Sequence, residues 1–246
     1  MSPFAQIDLS QHPAPIDESI VFKNHRLGKL VEEFVFHQLK SQESVTWICD
    51  NLQIQDGKQT VGELDALYYD GDVLVHLEVA YKFYLYDTLG DYDHALKQWT
   101  GPNRKDKLFF KLGKLHERQF PLLVNPLTKT YLEGYNLASS EVVQRHCFKA
   151  QLFLPYQDQD VNLGPLNRDC VAGFYLSYRD IGLLKEFAFF VPRKLDWLVA
   201  PHLEVDWLGY SAALAVVGAE IGVGRSPLIW IKQDDLELGK GFVTFW

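Results

Sequence analysis

The stretch GELDALYYDGDVLVHLEVAYKF, residues 62–83, decides the fold. Apolar and aromatic residues dominate both of its halves, and the triplet DGD at residues 70–72 separates them. An Asp-Gly pair between two such runs is a strong signal for a β-hairpin. In residues 75–86 every second residue is apolar, as in a strand that is buried on at least one face. We therefore predict two antiparallel strands joined at this triplet.

The register of the hairpin determines which polar side chains share a face. If residues 70–71 form a two-residue turn, Asp65 lies opposite His76 and becomes a diagonal neighbour of Glu78. In the same register Glu63 lies opposite Glu78. A loop longer by one residue would reverse the faces. Because side chains alternate across a strand, this register brings five polar side chains to one face, namely Glu63, Asp65, His76, Glu78 and Lys82.

Carboxylates that converge on a half-buried face repel one another and need a positive partner. Mg²⁺ or Mn²⁺ is a natural partner for oxygen ligands, and Lys82 adds a further positive charge. A metal that activates water, with a lysine that stabilises the developing anion, can hydrolyse a phosphodiester. The spacing alone favours a simpler alternative, a solvated strand face on which Glu63, Glu78 and Lys82 form salt bridges.

The flanking sequence alternates between helical and strand patterns. Helical spacing of apolar residues predicts helices over residues 26–40, 87–99 and 104–120, and a meander of strands occupies residues 47–86. Apolar, β-rich runs predict further strands over residues 146–156, 170–179, 186–192 and 241–246. We expect a single α/β domain over residues 1–246, with a core at roughly 21–160 and a C-terminal elaboration at 161–246.

The order of these elements and motifs resembles the PD-(D/E)XK nuclease-like superfamily. The resemblance covers roughly residues 26–115, and residues 62–83 are its most specific part. The segments LGKLVEEF, NLQIQDGKQTVGELD, HLEVAYKFYL, WTGPNRKDKL and KLDWL together resemble an uncharacterised bacterial domain-of-unknown-function family placed in that superfamily. The resemblance implies an α/β, restriction-endonuclease-like core of helix, three-stranded meander, helix and strand, with an elaborated β-rich C-terminal half.

The resemblance also implies a metal centre. Asp65 of GELD would be the first ligand of Mg²⁺ or Mn²⁺, Glu78 of HLEVAYK the second, and the backbone carbonyl of Val79 a third. Glu32 in LGKLVEE matches the acidic residue of the superfamily's helix, with its neighbour Glu33 as the alternative. Gly28, one turn earlier, would let that helix approach the sheet closely.

Two positions depart from the superfamily pattern. Its lysine usually stands two residues after the second acid, where this chain has Ala80. Lys82 keeps the same face about 7 Å further along the strand, and its flexible side chain could reach back to stabilise the transition state. Leu64 stands where the superfamily often has a proline before the first aspartate.

Candidate nucleic-acid contacts follow the hairpin. Arg104 and a basic helical face with Lys107 and Lys111 are typical of a surface that tracks phosphates, and equally of a solvated helix. Gln98 is a candidate polar contact near the phosphate. The formal net charge of −8 argues against a protein that coats DNA with its whole surface. It does not argue against a local basic groove.

Three functions remain open on these residues. The first is a metal-dependent nuclease that acts on DNA or RNA. The second is a catalytically inactive nuclease-like scaffold that binds nucleic acid or a protein partner. The third, a carbohydrate hydrolase that uses Glu63 and Glu78, has the least support because no aromatic sugar platform is recognisable.

The remaining features concern the compartment of the cell. The sequence shows no apolar run of membrane-spanning length and no leader pattern, so we expect no membrane association. Cys49, Cys147 and Cys170 are odd in number and far apart, which is typical of reduced thiols in a cytoplasmic protein.

Overall fold

The structure is a computed structural model that describes residues 5–14, 19–22, 24–233 and 237–246. It has a mixed α/β fold whose contacts divide the chain into two compact units. The first unit comprises Met1–Tyr81 and Lys111–Lys149, and the second comprises Lys82–Phe110 and Ala150–Trp246. Each unit is therefore built from two separate segments of the chain.

The described elements are named in chain order. The strands are β1 (Ala5–Gln6), β2 (Val45–Asp56), β3 (Gln59–Asp70), β4 (Val73–Tyr86), β5 (Trp99–Thr100), β6 (Val143–Pro155), β7 (Val171–Ser177), β8 (Ala188–Phe190), β9 (Leu228–Gln233) and β10 (Glu237–Thr244). The helices are α1 (Leu27–Lys40), α2 (Leu108–Lys114), α3 (Phe120–Leu122), α4 (Pro126–Glu133) and α5 (Tyr210–Gly222). A π-helical turn, Leu115–Gln119, joins α2 to α3. No helix in the described ranges has the length and apolar character that a membrane crossing requires.

The first unit contains the predicted helix and meander. Strands follow the order β2-β3-β4-β6, and β1 pairs with β6 in parallel. The helix α1 confirms the helical pattern of residues 26–40, and it buries the apolar stripe Leu27, Val31, Val35, Phe36 and Leu39. Leucines of β3 and β4 pack with leucines of α3 and α4 in a second apolar cluster. The polar side chains of the candidate site thus lie on a well-packed scaffold.

The turn between β3 and β4 differs from the predicted one. Gly71 adopts a φ of +58°, and Asp70 pairs with Val73, so the two turn residues are Gly71 and Asp72. The left-handed conformation suits a residue without a Cβ, which explains this placement. The predicted turn at residues 70–71 is wrong by one residue. Both strands keep their faces, because the shift changes the pairing by two residues.

The second unit holds strands in the order β6-β7-β10-β9-β8. The strand β10 pairs with β7 in parallel and with β9 in antiparallel orientation. The four strands predicted beyond residue 145 are found as β6, β7, β8 and β10. The sequence did not predict β9 or α5, whose Ala213 and Val217 are buried in the core of this unit.

Two predicted helices need correction. Residues 87–99 form only a four-residue 3-10 turn, Ala95–Gln98, because the Asp87 carboxylate accepts the backbone N–H of Leu89 at 3.0 Å and fixes a loop instead. The helix predicted from residue 104 begins at Leu108. Arg104 has a φ of +55°, which no residue of a right-handed helix can have.

Candidate functional site

Two buried acids and one partly buried acid form what we call the acidic centre of the first unit: Asp65 on β3 and Glu78 on β4 are buried, and Glu32 on α1 is partly buried. Asp65 is 7% exposed and Glu78 1%, and the Glu32 side chain is 13% exposed. The register of β3 with β4 runs from Asp70 and Val73 to Ala66 and Leu77, and Asp65 and Glu78 are the next residues of the two strands. His76 pairs with Leu67, so the predicted pairing of Asp65 with His76 is wrong. Residues that follow the same pair on two adjacent strands share a face, as the metal hypothesis requires.

Asp65 is held by the backbone of the neighbouring strand. Its Oδ2 accepts a hydrogen bond of 2.8 Å from the N–H of Val79. Burial and the nearby charge of Glu78 nevertheless raise the pKa of Asp65 to about 7, against this hydrogen bond, which lowers it. Without a cation, the site therefore disfavours the carboxylate form that a metal would bind.

Glu78 is held by side chains on both of its oxygens. His76 Nε2 lies 2.9 Å from Oε1, and the amide of Gln119 donates to Oε2. Burial raises the pKa of Glu78 to about 8, although the charge of Lys111 and the Gln119 hydrogen bond lower it. The amide of Gln144 lies 3.1 Å from His76 Nδ1. This amide nitrogen is a donor, so we assign the His76 proton to Nε2, where it donates to Glu78.

His76 is a neutral partner at ordinary pH. Burial lowers its pKa to about 4, although the nearby charge of Asp65 raises it. The imidazole is fully buried beside the Phe120 ring. A fixed histidine that orients a carboxylate is a common arrangement around metal ligands.

Glu32 lies in an ion-pair network on the α1 side of the acidic centre. Lys29 Nζ is 2.5 Å from Glu32 Oε2 and 2.7 Å from Glu63 Oε1. Burial raises the pKa of Glu32 to about 7, with Lys29 lowering it and Asp65 raising it. Burial alone would lower the pKa of Lys29, but the hydrogen bonds and charges of the two glutamates outweigh it and raise that pKa.

Of the two neighbouring glutamates in α1, the structure places Glu32 beside Asp65. Glu33 instead accepts a hydrogen bond of 2.5 Å from the Asn24 amide. The expectation for Gly28 is wrong, because a Cβ built there meets no atom within 4 Å. Close approach of α1 to the sheet therefore does not depend on a glycine at this position.

The predicted basic and polar contacts belong to the second unit or lie at its boundary. Lys82 Nζ pairs with Asp106 Oδ2 at 2.7 Å. Arg104 pairs with the buried carboxylate of Asp87 and stacks on an aromatic ring. Lys107 lies before α2 and over the Tyr92 ring, and Gln98 ends the 3-10 turn of residues 95–98. Each of these three cations already has a partner within its own unit.

Sequence reasoning missed the two side chains that contact the acidic centre from helices. Lys29 could have been found, because it stands three residues before Glu32 on the same helical face. The contact of Gln119 could not have been found from the sequence. Its position depends on the π-helical turn that follows α2, where periodicity predicts an α-helix. Lys111 was predicted only as a phosphate contact on an outer surface.

The donor set of the acidic centre fits a hard divalent cation. Asp65 and Glu78 offer oxygens from adjacent strands. Their elevated pKa values mean that ionising them in the folded protein is unfavourable, and a bound cation would offset this free-energy cost. Within the described ranges, no group of three or more His, Cys, Asp or Glu side chains is arranged to hold a metal ion. Mg²⁺ does not require one, because it is usually bound by one or two carboxylates and keeps several waters.

The elevated pKa values predict how stability depends on pH. Asp65 and Glu78 have folded-state pKa values of about 7 and about 8, above their usual values of 3.8 and 4.5. Their contribution to stability is complete below the usual values and is lost as pH rises through the folded ones. In EDTA, we expect the free energy of unfolding to fall between pH 5 and 8 by an amount on the order of a few kcal/mol.

Urea denaturation at a series of pH values measures this slope. Glu78→Gln should flatten it, because the replaced carboxyl no longer ionises. Glu133→Gln, an exposed position in the same unit, should leave it unchanged. A wild-type protein that becomes more stable as pH rises through 7 would contradict the assignment.

One of the comparisons with known proteins gives a match, and this match extends over most of the chain. The family model described as "Domain of unknown function (DUF1853)" matches residues 3–221. No curated protein matches the chain, and no solved structure does. The match covers well over half of the 246 residues, so the chain belongs to the DUF1853 family.

Proposed function

We propose that this protein is a metal-dependent phosphodiesterase that cleaves DNA or RNA, built on a PD-(D/E)XK nuclease-like core. One observation carries the proposal: Asp65 and Glu78 are both buried on adjacent strands, one residue past the pair Ala66 and Leu77, and their charges act unfavourably on each other. Burying two like charges destabilises the folded protein, and groups perturbed in this way are common at functional sites.

The order of the elements supports the nuclease-like core. In chain order α1, the meander β2–β4, the α2–α3 helical segment and β6 follow the helix, meander, helix and strand of the superfamily. By the sequence resemblance, Asp65 and Glu78 would stand at the positions at which that superfamily carries its metal ligands. Glu32 on α1 matches its helix acid and interacts electrostatically with Asp65.

The roles of the residues follow from their contacts. A bound Mg²⁺ or Mn²⁺ would supply an activated water and screen the phosphate charge. Asp65 and Glu78 would hold this ion, while His76 and Gln119 keep the Glu78 carboxylate in one orientation. Glu32, with a pKa near 7, is suited to accept a proton from the attacking water.

The roles of the cationic residues and of the nucleic-acid contacts are proposed on other grounds. They rest on residue type and sequence position, and not on contacts with the acidic centre. Lys82 is the residue that the superfamily pattern offers for the transition state. Lys107, Lys111 and Gln98 are the candidate contacts to nucleic acid. Arg104 is the weakest of the set, because Asp87 already neutralises its guanidinium.

A catalytically inactive scaffold that binds nucleic acid or a protein is the second candidate. The observation in its favour is the ion pair between Lys82 and Asp106, which neutralises the lysine that the superfamily uses in catalysis. In this case the acidic centre would still exist, but no cleavage would follow.

The test measures metal binding and cleavage on the same preparation. Titration calorimetry with Mn²⁺ and thermal unfolding with and without Mn²⁺ report binding, and single-stranded, duplex and branched DNA and RNA serve as substrates. We expect Mn²⁺ to raise the melting temperature, because it binds the native state preferentially, and we expect cleavage that EDTA stops. Metal and nucleic-acid binding without cleavage would support the inactive scaffold. Binding of neither would contradict both candidates.

A further inference from the structure

Lys82, the lysine expected from the superfamily pattern, already forms an ion pair with a carboxylate of the second unit. Lys82 Nζ lies 2.7 Å from Asp106 Oδ2 in the second unit. The backbone carbonyl of Asp106 in turn accepts the N–H of Gly101 at 2.9 Å, so this carboxylate sits on a fixed loop. Moving Lys82 to a phosphate would leave Asp106 without its partner.

A second lysine belongs to the unit that holds the acidic centre. Lys111 Nζ donates to Gln119 Oε1 at 2.9 Å, and the Gln119 amide donates to Glu78 Oε2. A continuous chain of hydrogen bonds therefore runs from an ammonium group to the carboxylate proposed to bind the metal. The charge of Lys111 acts on Glu78 and opposes the effect of burial, which nevertheless raises the pKa of Glu78 to about 8.

The π-helical turn explains how these side chains meet. Lys111 and Gln119 are eight residues apart, and in an uninterrupted α-helix eight residues turn through about 800°, which leaves the two side chains about 80° out of line. The turn Leu115–Gln119 has wider i→i+5 hydrogen bonding, which adds residues per turn and reduces this offset. Turns of this kind are frequently found at functional sites.

We propose that Lys111, in place of Lys82, is the cationic catalytic residue of the acidic centre; this rests on the proposed phosphodiesterase function. With substrate bound, its ammonium donates to a non-bridging oxygen of the scissile phosphate. The water oxygen forms a bond to phosphorus and gives its proton to Glu32. The ester P–O bond breaks, and the leaving oxygen takes a proton from solvent. While the new bond forms and the ester bond breaks, Lys111 stabilises the negative charge that increases on the phosphate.

This role separates metal binding from catalysis. A positive charge near Glu78 repels a divalent cation but attracts an anionic phosphate. Removing it should therefore strengthen Mn²⁺ binding while slowing cleavage. If Lys111 only positioned Glu78 through Gln119, its removal would have the opposite effect on metal affinity. Both Mn²⁺ binding and cleavage would then become weaker.

The experiment compares Lys111→Met with Lys82→Met, the variant of the rival lysine, and with Lys111→Arg as a charge-preserving variant. Lys58→Met is the matched control, because it removes the same charge from the exposed turn between β2 and β3. For Lys111→Met we expect turnover at saturating Mn²⁺ to fall by roughly 10² and Mn²⁺ affinity, by titration calorimetry, to stay equal or rise by about threefold. We expect Lys82→Met to lose less turnover than Lys111→Met, Lys58→Met to change turnover and Mn²⁺ affinity by less than about threefold, and Lys111→Arg to recover most of the turnover.

The outcomes separate this proposal from the function on which it rests. A wild type that fails to bind Mn²⁺ overturns both. A wild type that binds Mn²⁺ and cleaves, with Lys111→Met unchanged or with Lys82→Met carrying the larger loss, overturns the role of Lys111 alone. Weaker Mn²⁺ binding in Lys111→Met also overturns it. A wild type that binds Mn²⁺ without cleaving also overturns the catalytic role of Lys111 and supports the inactive scaffold.

Discussion

Asp65→Asn is expected to make the metal-free protein more stable at pH 8 and to abolish metal-dependent cleavage. The amide has nearly the shape of the carboxylate and its oxygen can still accept the N–H of Val79, so packing is preserved. It cannot ionise, so the repulsion with Glu78 disappears, a gain of up to a few kcal/mol on the scale of the pKa shift. The same change removes a charged metal ligand, and we expect turnover to fall by 10³-fold or more, a loss on the order of those seen for essential electrostatic groups.

The measurement pairs urea denaturation in EDTA with cleavage and the Mn²⁺-induced change in melting temperature. Asp72→Asn is the matched control, since it removes the same charge from the exposed turn between β3 and β4 and should alter none of the three. Opposite signs for stability and cleavage identify a functional carboxylate. If Asp65→Asn lost stability and cleavage together, Asp65 would be a structural residue.

Gly173→Ala is expected to destabilise the protein by about 3 kcal/mol, which is at the upper end for overpacking. A Cβ built at Gly173 lies well inside 3.0 Å of the backbone carbonyl oxygen of Lys240. Gly173 belongs to β7 and Lys240 to β10, and these strands pair in parallel. Backbone in a paired strand cannot move aside as a flexible side chain can, so the two strands would have to separate locally.

Chemical denaturation of the two variants Gly173→Ala and Gly222→Ala tests this expectation. Gly222 ends α5 in the same unit, and a Cβ built there meets nothing within 4 Å. Its replacement should be neutral or slightly stabilising, because alanine favours a helix over glycine. Equal stability of the two variants would mean that β7 and β10 do not approach as closely as the structure shows.

The parts of the fold that the sequence predicted have a strong local signal. The helix α1 has one apolar stripe, and Asp-Gly pairs punctuate the meander β2–β4, so these elements follow from periodicity and turn chemistry. The helix α5 was missed for the opposite reason. Its segment YSAALAVVGAEIG is almost uniformly apolar, so no polar face marks it as an amphipathic helix.

The acidic centre was predictable in its strands and unpredictable in its helices. Strand alternation alone brought Asp65 and Glu78 to one face, although their exact pairing depended on which residue of the turn took a left-handed φ. The contact of Gln119 with Glu78 depends on a π-helical turn that no sequence pattern announces. Long-range partners of this kind follow from tertiary packing and not from local propensity.

The central place of β10 in the second unit has a consequence for synthesis. The strand β7 ends at Ser177, and its partner β10 begins at Glu237, sixty residues later. At ribosomal speeds of about 5–20 residues per second, β7 waits roughly 3–12 s for the strand that covers its edge. An uncovered strand edge is a template for pairing with other chains. The growing polypeptide therefore passes through an interval in which one edge of β7 lacks its partner strand and is open to pairing with other chains.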